Sequence, residues 1–598
     1  MREIVIYGLV GCLFLICQIT GHDLAQHAPL GNIEWTAGYA ARLLAISLAG
    51  GALFGVACRF FGGYVRRLID GKTVDGKPAD GKPADRKTVD GKPAGRKLTD
   101  SEPADGISAD SARKAGGLGL ISMGLLLLSW LPGYLAYYPG ICAYDATIQT
   151  GQIVSGAYND HHPIAHTLLI AGSMSIGEGL FGSVNAGIGL LVFLQMLLLA
   201  AVFSRGIVWL YRKGVRRSML VCLQIFGMLY PFHMYMSVSL IKDVWFTVFF
   251  LLQMLALCRL VDRELQKAPE AERKKEHAAF FIGAVGMQVF RANGRYAMLV
   301  LLAVCLAAVF VGKARRRFWA RLSGECAIAL VAGSLCLSGL FRVTGAEQGD
   351  RREMLSMPIQ QLARCMLYHG GVGARDADDG TMEERDRALI RDFLLDESYL
   401  LYRPEISDPV KSHTNTYVVR YRTKDFAETY LRLLGAYPGE FINAALAVNA
   451  GYLYPDDVTH AHVNENGKDR GLGYVQTRWV EEELNPRGIY KASKWEWLHE
   501  KLEDWADGNA YLHIPVLKYI FVPGTFLWLY LLLAGHLAVR RQYGRLVPLA
   551  LPFGYYLTLF LGPVVQLRYV YPLMIALPFA ALYLTGAEGT EHELAKKR

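Results

Sequence analysis

The sequence predicts an all-α polytopic membrane protein with about twelve transmembrane helices, on three observations. Of its 598 residues 52% are hydrophobic, and the mean hydropathy is +0.21. Apolar runs of about 20 residues, the length that crosses a hydrocarbon core of roughly 30 Å, recur along the chain. Lysine and arginine gather in alternate connections between those runs, as the positive-inside rule requires.

The predicted spans are 5–20, 37–60, 117–137, 184–210, 218–236, 244–262, 277–291, 296–312, 322–342, 514–537, 546–563 and 569–586. The first follows "MRE" and has the look of a signal peptide, but no small-residue cleavage site follows it, so it reads as a retained helix. Placing the N-terminus in the cytoplasm makes cytoplasmic the connections that hold Arg66, Arg67, "RKGVRR" at 212–217, "ERKKEH" at 272–277, "KARRR" at 313–317 and "RRQYGR" at 540–545. The terminal "KKR" falls on the same side. Topology thus accounts for the net charge of +9, which gives no reason to expect nucleic acid as a partner.

Six segments follow from this layout. Residues 1–60 form two N-terminal helices, and 61–116 a cytoplasmic linker built on a five-residue Asp/Gly/Lys/Pro repeat from Asp70 to Asp110. The repeat has almost no large apolar side chain to bury and is expected to be a disordered tether. Residues 117–342 form the transmembrane core with a first outer loop at 138–166; 343–512 form a mostly helical extracytoplasmic domain; 513–590 hold the C-terminal helices; 591–598 are a cytoplasmic tail. Tryptophans and tyrosines of the outer domain read first as core or interface anchors and only secondarily as sugar-stacking surfaces. Ten cysteines show no CxxC pair, and only Cys142 and Cys365 fall on the outer side, where two free thiols are expected in preference to a disulfide.

The first outer loop carries "YYPGICAYDATIQTGQIVSGAYNDHHPIAH" from Tyr137 to His166, with Asp145 and Asp160, three histidines and no lysine or arginine. The outer span ends hold the few positive charges that break the charge rule: Lys242 in "SVSLIKDVWFT", Arg291 and Arg295 in "FRANGRY", and Arg568 in "VVQLRYVYPL". Singly, each reads as well as an interface or paired residue, Lys242 with Asp243 for instance. Together, on separate helices beside an acidic loop, they point to an anionic lipid head group, since lysine and arginine hold phosphate oxygens well. A carboxylate beside them suits proton transfer, so Asp145 is the expected base toward an acceptor hydroxyl, while Lys242, Arg291 and Arg568 hold the departing phosphate. Asp160, His162, Asp243, Tyr569 and Tyr571 are candidate supporting or acceptor-binding residues.

The acid after a tyrosine-rich helix end in "YYPGICAYD", the later "KD" opening a span and the outer "RYVYPL" before the last span resemble the GT-C superfamily of integral-membrane glycosyltransferases. "MLSMPIQQLAR" and "LGPVVQLRYVYPL" resemble uncharacterised bacterial relatives of its protein mannosyltransferase and aminoarabinose transferase group. The resemblance covers residues 117–586 and implies a GT-C-like fold, with a sugar taken from a polyprenyl-phosphate donor outside the membrane. The partners it implies are that lipid donor, membrane lipids and a cell-envelope polymer, lipid or protein as acceptor. It matches Asp145 to the first-loop catalytic acid and Lys242, Arg291 and Arg568 to donor-phosphate contacts. Metal-dependent members use a further acidic motif, for which this chain offers Asp160, His161, His162 and His166. No cofactor is therefore assigned, and a divalent metal, Mg or Mn, on Asp145, Asp160 and His162 stands as the alternative.

Other function classes remain beside this one: a multi-pass transporter or lipid flippase, a membrane acyltransferase using one of the loop histidines, and a metal-dependent lipid-head hydrolase built on Asp160 and His162. A transporter tends to carry internal repeats and polar groups near mid-membrane, whereas the charges here gather at one face.

Overall fold

The computed structural model describes residues 1–26, 32–69, 109–142, 144–267, 273–349, 351–373, 378–456, 481–508 and 510–585. The repeat up to residue 108 and the tail 591–598 lie outside the described residues, within which there are helices and isolated bridges but no strand.

Two long helices open the chain, α1 (Arg2–Gln26) and α2 (Ala37–Ile69). They pack closely because small residues face each other: a Cβ at Gly51 would stand 2.6 Å from the Gly8 carbonyl oxygen. The core continues with α3 (Ala109–Ala136), α4 (Tyr144–Ser155), α5 (Ile164–Phe181), α6 (Val184–Arg212), α7 (Arg217–Leu229) and α8 (Pro231–Ser237). It is completed by α9 (Lys242–Leu265), α10 (Lys274–Phe290), α11 (Ala292–Val311) and α12 (Arg316–Thr344). Pro231 separates α7 from α8, which meet at 55°; the ring removes a backbone donor and holds Tyr230 in an extended conformation.

Among the described residues eight helices are long and apolar enough to cross a membrane, nine if the bent pair counts as one. Seven of the eight fall on predicted spans, and the bent pair falls on 218–236. The predicted spans 277–291 and 514–537 are helices of 17 residues, and 546–563 is broken into a short turn and a helix of 10.

The eighth helix, α5, is one the sequence reading leaves inside a connection. Its mean hydropathy of 1.3 is the lowest of the set, since serines, glycines and Glu178 interrupt its apolar run. It does not run from one end of the bundle to the other. α6 passes the start of α9 at its twelfth residue, where Gln195 donates to the Ser239 carbonyl (2.6 Å), so that its own first turns lie beyond that level. The two helices finish together, where Lys213 meets Asp262 (2.6 Å). α5 starts beside the first residue of α9, where His162 meets Lys242, and ends at Gly182, directly before the Ser183 cap of α6. Both its ends are therefore at one end of the bundle, and the alternation of helix directions is the same with α5 as without it. Its crossing over α6 is close because Gly177 and Gly187 face each other with no room for a side chain.

At the centre stands α9, with 89% of its most apolar window buried, against 17% for α1 and α2. A helix apolar on all sides suits that position. Chain beyond α12 forms a second unit with its own core of Ile359, Leu362, Met366, Phe393, Leu433 and Phe441. It includes α13 (Ser356–His369), α14 (Glu384–Phe393), α15 (Thr423–Ala436) and α16 (Pro438–Leu453).

Within the predicted segment 343–512, Leu484, Ile489, Ala506 and Tyr511 pack into the core of the bundle. α17 (Glu496–Asp507) lies on the bundle end, with Leu502 accepting from Tyr235 (2.7 Å) and Trp505 stacked on that same ring. The last helices are α18 (Pro523–Val539), α19 (Ala550–Leu559) and α20 (Leu567–Thr585). All ten cysteines are free thiols, and Cys142 and Cys365 are buried in different cores.

Candidate functional site

Two backbone contacts bring the site together. Ile141 donates to the Val238 carbonyl and Leu240 donates to the Ile141 carbonyl, both at 2.9 Å, so the residues just before α4 lie against those just before α9. Asp145 in the first turn of α4 then faces Lys242 at the first position of α9. A second pairing, Ile406 with Val564, is reinforced by Ser407 donating to the Pro563 carbonyl (2.9 Å) and fixes the approach to α20, whose second residue is Arg568. Arg291 sits in extended backbone at the break between α10 and α11.

Four helices therefore direct their N-terminal ends at one place: α4, α9, α11 and α20. Each brings partial positive charge from unpaired backbone N–H groups, which favours an anion there.

The side chains form one connected network. Asp145 Oδ2 accepts from Lys242 Nζ (2.7 Å) and from Arg568 Nη1 (3.1 Å). Asp243 Oδ2 accepts from the same guanidinium (3.3 Å), while its Oδ1 accepts from Arg291. Lys242 also donates to His162 Nδ1 (2.9 Å). Because an ammonium only donates, this bond places the His162 proton on Nε2, a buried nitrogen without a hydrogen-bond partner. Tyr569 lies under both arginines, its ring centre 4.4 Å from the Arg291 guanidinium carbon and 4.9 Å from that of Arg568.

Three cations thus meet two carboxylates in a nearly dry centre, with Asp145 and Arg568 each 4% exposed and Asp243 fully buried. Burial by itself would raise the Asp145 carboxyl, but Lys242 and Arg568 outweigh it and hold the group well below the usual carboxylate range. Burial first, then Lys242, holds His162 well below the ordinary imidazole value, so its ring is neutral.

Of the sequence candidates, Asp145, Lys242, Arg291, Arg568, His162, Asp243 and Tyr569 come together. Lys242 pairs with Asp145 and not with its neighbour Asp243. Two candidates do not join them. Asp160 is exposed, its carboxylate accepting from the Gly349 backbone, and Tyr571 is buried in the bundle with its hydroxyl 3.0 Å from His233 Nδ1. Arg295 is exposed on α11. Tyr571→Phe is accordingly expected to lower stability by about 1–3 kcal/mol, the cost of an unpaired buried polar group, and to leave activity per folded molecule intact. Thermal unfolding beside a turnover assay checks this.

The alternative metal set of Asp145, Asp160 and His162 is not assembled, since Asp160 faces Gly349 and a lysine lies between the other two. Among the described residues no three His, Cys, Asp or Glu side chains are placed to hold a metal ion. The positions between Asp145 and Asp243 are taken by Arg568.

Sequence reasoning missed the residues that steady the arginines. Gln566 Oε1 accepts from Arg568 Nε (2.8 Å), and Asn293 Oδ1 accepts from Arg291 Nε (3.2 Å) while its amide donates to Thr558 (2.7 Å). Each stands two residues from its arginine at an otherwise apolar span end, a signal available in the sequence. His166 Nδ1 donates to Gln149 Oε1 (2.9 Å), which ties α5 to α4 behind Asp145.

No curated protein and no solved structure matches the chain. One family model does, starting at residue 154, so that it takes in Lys242, Asp243, Arg291 and Arg568 and begins after Asp145. With residues 154–598 matched, the chain belongs to a family of unknown function, DUF6020.

Proposed function

We propose that the protein is a membrane glycosyltransferase that moves a sugar from a polyprenyl-phosphate-linked donor to a cell-envelope acceptor on the outer face of the membrane. The observation that carries this reading is the convergence of Lys242, Arg291 and Arg568 with Asp145 at four helix N-termini, at one end of an apolar bundle. A phosphate held by a lipid tail meets such a centre at membrane level, and an acceptor from the aqueous side reaches the same place. The order of short motifs that resembles the GT-C superfamily supports the same reading, and with it a GT-C-like bundle of about twelve spans.

In the transfer, Asp145 takes the proton of the acceptor hydroxyl as its oxygen attacks the anomeric carbon. The bond from that carbon to the phosphate oxygen breaks, and its electron pair leaves on the phosphate. Lys242, Arg291 and Arg568 stabilise the charge that develops there, which pre-placed donors in a dry site do at little reorganisation cost. Asp243 holds the two arginines, and Tyr569 supports them from below.

In this reading the termini lie in the cytoplasm and this centre outside, an orientation that the charge distribution supports. The opposite end of the bundle carries Lys213 and Arg545 around Asp262, in keeping with that orientation.

The test is mass spectrometry of polyprenyl carriers after purified wild type and Asp145→Asn are incubated in detergent with lipid-linked sugars from host membranes. Loss of one lipid-linked sugar with wild type alone, and release of its carrier, is expected. No change in any carrier, with acceptor extract and divalent metal supplied, would sink the reading. A flippase, by contrast, would change only the sidedness of a lipid in sealed vesicles.

A further inference from the structure

In the free protein, each group assigned to the reaction is already engaged by another. The cations that would bind phosphate are occupied by carboxylates: Lys242 by Asp145, Arg291 by Asp243, and Arg568 by both. The carboxylate that would accept a proton is in turn held by two cations. A phosphate cannot gain full use of Lys242 and Arg568 while Asp145 holds them, and a carboxylate held by two cations is a poor base.

One exchange resolves both conflicts. If phosphate oxygens replace the Asp145 carboxylate as partner of Lys242 and Arg568, the cations keep an anion and the carboxylate is released. Asp243 is the less suited of the two to leave. It sits on the central helix α9, fully buried, and joins Arg291 to Arg568, so its departure would take from Arg291 the carboxylate that holds it. Asp145 is carried by the 12-residue α4, outside the long helices. His162 adds a separate sign that a ligand is received here, because its buried Nε2–H lacks a partner while its other nitrogen holds Lys242.

We propose that the phosphate site is capped by its own base: Asp145 occupies Lys242 and Arg568 until a lipid-borne phosphate exchanges with it. Only then is Asp145 free to take the acceptor's proton. The donor must therefore bind before the acceptor is activated, and an acceptor arriving first meets a site that cannot deprotonate it. His162 Nε2 receives one oxygen of the incoming phosphate. This inference rests on the donor-phosphate reading of the three cations.

The probe is a short-chain polyprenyl monophosphate carrying no sugar, titrated into the purified full-length protein by calorimetry at about pH 5, in buffers of different ionisation enthalpy. Two results are expected. Asp145→Asn binds the probe about 10-fold tighter or more than wild type, since no carboxylate competes for a charge-assisted bond. Wild type takes up more protons on binding than the variant does, because release from the two cations lets the Asp145 carboxyl titrate nearer its ordinary range of roughly 4. Proton uptake by wild type alone remains a test if the variant does not fold.

Equal affinity and equal proton uptake in the two proteins would overturn the exchange and leave the donor reading intact. No binding by either would overturn both. Binding as expected, with no lipid-linked sugar ever consumed, would uphold the exchange and sink the transfer reading.

Discussion

Asp145→Asn is expected to lower sugar transfer by about 10²–10⁴-fold, the usual contribution of a positioned general base, while the fold is kept. Asparagine has the size of aspartate and can still accept from Lys242, but it has neither the charge nor the basicity. Stability should fall too, since Lys242 and Arg568 lose an ionised partner in a buried place. Removing one partner of a buried pair costs about 3–5 kcal/mol, and less is expected here, because Asp243 still holds Arg568 and His162 still meets Lys242.

The pH dependence of that difference has a definite sign. The folded-state pKa of Asp145 is depressed, so its stabilisation is fully present above the unfolded value of about 3.9 and is lost as pH falls below it, through the folded value. The gap in unfolding temperature between wild type and Asp145→Asn should be level from about pH 8 to pH 5 and close only in stronger acid. A gap that shrinks near neutrality would mean that Asp145 is not held by the two cations.

Arg568→Lys is expected to be nearly as damaging, although it conserves the charge. The guanidinium reaches Asp145 and Asp243 through Nη1, Gln566 through Nε (2.8 Å) and the Tyr569 hydroxyl through Nη2 (3.3 Å). A single ammonium on a flexible stem cannot make these directed bonds together. The loss of one or more charge-assisted hydrogen bonds of about 1.5–3 kcal/mol predicts carrier-phosphate affinity lower by roughly 10- to 100-fold. Arg568→Ala, which takes one of two cations from each of Asp145 and Asp243, should in addition unfold at lower temperature. Carrier binding and thermal unfolding of both variants, side by side, separate the two effects; unaltered binding in Arg568→Lys would remove Arg568 from the phosphate site.

The charged half of the site was legible because membrane spans make charge expensive. Lysine, aspartate and arginine at otherwise apolar span ends stand out by composition alone, which marked Lys242, Asp243, Arg291 and Arg568. Their polar supports were less legible, since Gln566 and Asn293 carry no charge to draw notice. Helix α5 went unread for the opposite reason: it is diluted by serine and glycine, and it lies along the end of the bundle where it need not be uniformly apolar.

What the sequence determined by itself is what depends on local composition: a helical membrane chain, the order of its long apolar segments, and one end of the bundle on which unlike charges meet. Pairing was decided by tertiary structure. Lys242 and Asp243 are neighbours on a helix and point about 100° apart, so each found its partner on another element, Lys242 on α4 and Asp243 on the approach to α11 and on α20. Tyr569 and Tyr571 are two residues apart on α20, about 200° around its axis, which turns one ring to the arginines and the other to His233. Direction around a helix is written in the sequence, but which neighbour waits in that direction is set by the packing of chain segments hundreds of residues away.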